Sequence, residues 1–129
     1  MSTLIFEHAA FAAHEVPPGH PERAERYAAA SLALSGEEFA GLLRRSPARA
    51  TREAVERVHD GQLYDHLEEI SNKGALVRLD PDTCMGPSSF DAALRAAGGA
   101  VEAVDALFAG EADNAFVLAR PPGHHAPPD

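Results

Sequence analysis

The most regular pattern lies in the second half of the chain, where Phe90, Leu94, Ala97, Val101, Val104 and Phe108 recur at steps of four, three, four, three and four. That spacing lines them up on one stripe of an α-helix. Ser88 and Asp91 precede the stripe at capping-box spacing, and Gly110 offers a stop. Gly98-Gly99 in the middle would each cost about 1 kcal/mol relative to alanine, which predicts compensation by close packing on a sheet or another helix. Ala115 to Ala119 follows as an unbroken apolar run between turn residues, the pattern of a parallel strand buried on both faces. Strand, long helix and strand together indicate an α/β fold.

Earlier elements are shorter. Thr3 to Phe6 is apolar and partly β-branched, and reads as a first strand. Glu7 to His20 reads as irregular, with Pro17, Pro18 and Gly19 against a helix. Pro21 suits a helix start, and Glu22 to Leu34 continues as helix with Glu22 and Arg26 four apart. Ser35-Gly36 breaks it, and Glu37 to Arg44 reads as a second short helix. Thr51 opens another, to about His59; Asp60-Gly61 interrupts, and Gln62 to Ile70 is helical again. Ala75 to Leu79 fits a short strand or a loop equally well. No repeats or low-complexity tracts divide the chain, so one domain or part of one is expected.

Composition narrows the function classes. The chain is 45% hydrophobic, but only 6% aromatic and without tryptophan, so alanine supplies much of a thin core. A net charge of −9 argues against non-specific nucleic-acid binding. Cys84 is the one cysteine, which excludes an intramolecular disulfide and a cysteine-rich zinc cage. No apolar run approaches the roughly 20 residues of a membrane span, and residues 1–7 lack the features of a secretory signal. A cytoplasmic location is the expectation.

Chemistry concentrates in Arg120-Pro121-Pro122-Gly123-His124-His125-Ala126. A turn directly after a buried strand lies at the carboxyl edge of the sheet, where α/β proteins bind ligands. Imidazole changes charge near neutral pH and suits proton transfer there; on the residues alone, a solvated loop pair is an equal reading. His14 and His20, or His59 and His66, lack metalloprotease spacing and read as surface or packing histidines, with His20 helping to position the helix start beside Glu22.

This heptapeptide resembles the active-site signature of the histone deacetylase superfamily, which includes bacterial acetoin-utilisation proteins and acetylpolyamine amidohydrolases. Four further segments agree in order: Pro18-Gly19-His20-Pro21-Glu22-Arg23 with Arg26, Val58-His59 with Tyr64, Asp80-Pro81-Asp82-Thr83, and Ser88 to Gly99. The similarity covers nearly the whole chain and is nearest the bacterial class II-like branch. It implies the N-terminal part of the arginase/deacetylase fold, an incomplete parallel sheet flanked by helices, with 1–129 as the N-terminal portion of a single domain cut after the tandem histidines.

The resemblance further implies a zinc-dependent hydrolase of acetyl-lysine, acetylated polyamine or other small acetylated amines. His125 would be the general base, His124 an electrostatic partner, Gly123 a lining of the acyl channel and Asp82 a rim residue gripping substrate; an ordinary solvated turn aspartate is an equal reading of Asp82. The family's zinc ligands and transition-state tyrosine lie downstream of the tandem histidines and have no counterpart in this chain, which is therefore expected to be inactive alone. A stand-alone, non-catalytic binding module is the alternative.

Overall fold

The computed structural model describes residues 1–128. Strand β1, Thr3–Phe6, lies at the centre of a three-stranded sheet, paired in parallel with β2, Leu43–Arg45, and with β5, Asn114–Val117. Between them come helices α1, Ala9–Ala13; α2, Ala24–Ala33; α3, Arg52–Glu56; and α4, Gly61–Asn72. A two-stranded antiparallel ribbon follows, β3 at Val77–Asp80 and β4 at Thr83–Met85, and then the long helix α5, Ser89–Phe108. The parallel sheet flanked by helices agrees with the expected α/β class.

Leu4, Ile5 and Phe6 are all buried, as a strand with partners on both sides and helices above and below requires. Leu4 and Phe6 face α5 and pack with Ala103, Ala106 and Ala112, against which Ala115 and Val117 also rest. A second apolar cluster joins Phe11, Tyr27 and Ala92.

Helix α5 forms where the periodicity places it, but it buries a different face. Ser89, Ala92, Leu94, Gly98, Gly99, Ala103 and Ala106 turn inward, whereas Val101 and Val104 are exposed and Phe108 is 91% exposed. Only Leu94 of the predicted stripe is buried outright. The small residues win because they let other backbone come close. A Cβ on Gly98 would sit 2.0 Å from the Ala48 carbonyl oxygen, and one on Gly99 would be 3.1 Å from both Pro47 Cβ and Val117 Cγ1. The loop at 47–50 is fastened there by the Ala50 N–H to the Leu94 carbonyl at 2.8 Å, the Ala48 N–H to Glu102 at 2.9 Å and Arg95 to the Pro47 carbonyl at 2.8 Å. The helix ends as Gly110 suggested: with φ 72°, its N–H bonds to Leu107 and that of Glu111 to Ala106. Ser88 makes no side-chain cap, so the expected capping box is not formed.

Other elements also differ from expectation. The segment 7–20 contains α1, whose first turn is capped by His8 Nδ1 accepting from the Ala10 N–H. Glu37 to Arg44 is not a helix: a single 3-10 turn at Glu37–Phe39 precedes β2, because the edge of β1 offers Leu43–Arg45 a hydrogen-bonded partner. Helix α2 starts at Ala24, after Pro21 and Glu22. The undecided segment near 75–79 is strand β3, and β4 was not anticipated. Strand β5 is not buried on both faces; Phe116 points away from α5 and is 52% exposed.

Gly98→Ala is expected to destabilise the fold despite gaining about 1 kcal/mol in helix propensity. Overpacking against a fixed backbone costs about 1–3 kcal/mol, and the contact with Ala48 belongs at the severe end. Urea unfolding should show a net loss for Gly98→Ala and a smaller change for Gly99→Ala; a gain for the former contradicts the packing described.

Candidate active site

Strands β1 and β5 point their carboxyl ends the same way, and the Leu118 N–H extends the pairing to the Phe6 carbonyl at 2.9 Å. The chain then enters the turn that carries the tandem histidines. Arg120, the first charged residue after the strand, is only 4% exposed. Its Nε and Nη2 donate to the two carboxylate oxygens of Glu22, the latter at 2.9 Å, and its Nη1 donates to the Phe11 carbonyl at 2.8 Å. Pro121, Pro122 and Gly123 follow. Gly123 has φ 74° with open space around a hypothetical Cβ, so the backbone conformation and not crowding favours glycine.

His124 and His125 are both exposed, their rings edge to face with centroids 4.4 Å apart. His125 Nδ1 lies 3.5 Å from Thr83 Oγ1 and 4.0 Å from an Asp80 carboxylate oxygen. The β3–β4 turn therefore borders the tandem pair. Hydrogen bonds from Thr83 and the Asp82 N–H hold the Asp80 carboxyl below its ordinary range, with a smaller contribution from His125. Asp82 is not drawn to the histidine pair; its carboxylate is exposed and lies 3.5 Å from His20 Nε2, and its carbonyl 3.3 Å from the same atom. The tail beyond His125 is tied to the α3–α4 junction by His59 Nδ1 to the Pro127 carbonyl at 2.8 Å and the Asp60 N–H to the Pro128 carbonyl at 2.7 Å.

A polar network lies behind the loop. His14, buried, has Nε2 3.7 Å from Glu22 and Nδ1 2.8 Å from Ser89 Oγ, which also accepts from the Gly86 N–H at 2.9 Å. With Ser89 Oγ accepting from Gly86, its own proton can go to His14 Nδ1, leaving the Nε2 proton to face Glu22. Burial drives the His14 pKa down; Glu22 opposes this, while Arg120 and His20 reinforce it. Burial would raise the Glu22 carboxyl, but its hydrogen bonds and charge contact with Arg120, aided by His14 and His20, hold it below its ordinary value. His20 Nδ1 also accepts from the Glu22 N–H at 3.1 Å, the expected role at the approach to α2. The sequence names Arg120 and Glu22 as parts of the matching segments and His14 as a surface or packing histidine, but assigns neither these three nor Ser89 to a shared buried network. The available signal was an arginine closing a buried strand, which demands a partner if it stays inside.

Zinc is not accommodated by these residues: among the described residues no group of three or more histidine, cysteine, aspartate or glutamate side chains is placed to hold a metal ion. Nor is any helix among them long and apolar enough to cross a membrane.

Comparison with known proteins identifies the family. The family model of the histone deacetylase domain matches residues 20–129. A probable deacetylase of Archaeoglobus fulgidus is 40% identical over 131 aligned residues, covering 99% of this chain and 36% of that protein. A histone deacetylase-like amidohydrolase of Pseudomonas aeruginosa is 42% identical over 113 residues, 86% of this chain and 29% of that one. The crystal structure of the HDA15 HD domain superposes with TM-score 0.84 at 32% identity, over 97% of this chain and 36% of that domain's chain. The chain belongs to the histone deacetylase family and spans about a third of the length of these relatives.

The buried network predicts a pH dependence of stability. His14 resists the proton that the unfolded chain accepts below about pH 6.5. Its contribution is present above that pH and is lost as pH falls toward the depressed folded value. Glu22 acts in the same sense at lower pH, below the ordinary carboxylate value. Unfolding free energy should fall between pH 7.5 and 5.5 in the wild type and fall less in His14→Gln. Parallel profiles for the two proteins would show that His14 does not carry the effect.

Proposed function

We propose that the intact protein hydrolyses the amide of an acetylated amine, either acetyl-lysine or an acetylated polyamine or small amine, with His125 as general base. The observation that carries this reading is the tandem pair His124-His125, exposed at the carboxyl end of β5 beside the β3–β4 turn, in a chain of the deacetylase family. His125 would take a proton from the water that attacks the acetyl carbon. The C–N bond then breaks, and the departing amine takes up a proton, leaving acetate and the free amine. His124, edge-on to His125, would stabilise charge during the attack and supply that proton. Gly123 would line the acyl arm's channel, since it offers backbone and no side chain at the turn. Asp82, whose exposed carboxylate lies 3.5 Å from His20 Nε2, would be available to grip substrate at the rim.

The family resemblance implies zinc, and its ligands would have to come from outside residues 1–128. We read residues 1–129 as the N-terminal portion of one deacetylase domain. The exposed Val101, Val104 and Phe108 of α5 and Phe116 of β5 then mark surfaces for the rest of the domain to cover. The net charge of −9 argues against non-specific nucleic-acid binding, no helix among the described residues is long and apolar enough to cross a membrane, and a cytoplasmic location fits.

His125→Ala is expected to lower turnover of an acetyl-lysine or acetyl-amine reporter by about 100-fold to 10,000-fold, the usual cost of removing a general base. His124→Ala should cost less, and the reverse ranking would show that the two roles are exchanged. A zinc chelator should abolish turnover by the intact protein, with recovery on adding zinc; full activity after complete metal removal would sink the zinc-dependent reading. Residues 1–129 alone should be inactive. A sharp melt with stoichiometric zinc would favour a self-sufficient binding module instead.

A further inference from the structure

We propose that Arg120 and Glu22 are positioning residues for the tandem histidines, with His14 and Ser89 fixing the carboxylate that Arg120 grips. The proposal rests on the deacetylase reading, because it concerns the same loop. Arg120 is bonded in three directions, to both oxygens of Glu22 and to the Phe11 carbonyl. A planar guanidinium held as a fork has a fixed orientation as well as a fixed place. From there to His124 the backbone passes through Pro121 and Pro122, whose φ angles are set by their rings, and Gly123, whose φ is 74°. The two proline rings thus remove φ freedom at two of the three residues between Arg120 and His124.

The acceptor is equally constrained. Glu22 has His14 Nε2 at 3.7 Å, and His14 is tied through Ser89 to the start of α5 and the Gly86 N–H after β4. Two residues before Glu22, His20 reaches the carbonyl and carboxylate of Asp82 in the β3–β4 turn. That same turn carries Thr83 and Asp80 beside His125. The segment His20-Pro21-Glu22 therefore acts as a strut between the two walls of the site, holding the histidine loop through Glu22 and the facing turn through His20. Loss of the Glu22 charge should loosen the geometry of catalysis more than the capture of substrate. A misplacement of about 1 Å in such a constellation costs about 100-fold in rate.

The test uses the intact protein with an acetyl-lysine amide reporter and compares Glu22→Gln and Arg120→Lys with the wild type. Both variants should lower kcat by about tenfold to 100-fold and leave KM within about threefold, because the first removes the charge and the second the fork. Ile70→Val, in the buried face of α4, serves as a control that costs stability without touching the network. Nitrogen-15 correlation spectra of the histidine rings should show His124 and His125 displaced in Glu22→Gln and unmoved in Ile70→Val. Wild-type kcat in Glu22→Gln together with undisplaced imidazole signals would overturn the proposal. Absence of turnover in the wild type would instead count against the deacetylase reading, and the ring signals would still decide whether Glu22 positions the histidines.

Discussion

Arg120 carries a permanent charge to a place where almost no water reaches it, and the fold around it is arranged to meet that demand. An unpaired guanidinium there would cost several kcal/mol. Its acceptors come from separate stretches of chain, the Phe11 carbonyl in α1 and the Glu22 carboxylate ahead of α2, so both must fold over the end of β5. Glu22 in turn draws in His14, and His14 draws in Ser89 at the start of α5. The irregular stretch at 14–23 is thus held by polar bonds more than by apolar burial. The tandem histidines inherit their place from this arrangement, beyond Pro121, Pro122 and Gly123.

The apolar half of the structure obeys a different constraint, close approach. The alanine and glycine face of α5 admits the backbone of the 47–50 loop and the side chains of β1 and β5. With so few large side chains, small residues at short distance supply the contact area. The larger Val101, Val104 and Phe108 remain on the outer side of the same helix.

Much of this was legible in the sequence where a local signal agreed with its surroundings. Thr3–Phe6, α4 and α5 formed close to where periodicity and breakers put them, and the glycine pair foretold the close packing. The inward face of α5 differs from the periodic stripe because periodicity ranks side chains by hydrophobicity, whereas the neighbours here select for small size. Leu-Leu-Arg-Arg suits a helix locally, whereas the pairing of β2 with β1 is a long-range fact. At the site, the heptapeptide Arg120 to Ala126 carries the family resemblance in the sequence itself. Asp82 turned out to face His20, a contact between residues 62 positions apart that no local pattern reveals. The Arg120–Glu22 pair spans 98 positions and was hidden for the same reason.

The central claim is that Arg120 and Glu22 act as one unit on which the loop depends, and a double-mutant cycle on unfolding free energy addresses it most directly. Arg120→Met and Glu22→Leu are each expected to cost about 3 kcal/mol, toward the lower end for breaking a buried pair because Glu22 keeps some contact with water. The double variant, which strands no charge, should cost clearly less than the sum of the two. A double variant whose loss equals that sum would mean the two residues act independently and would contradict the account.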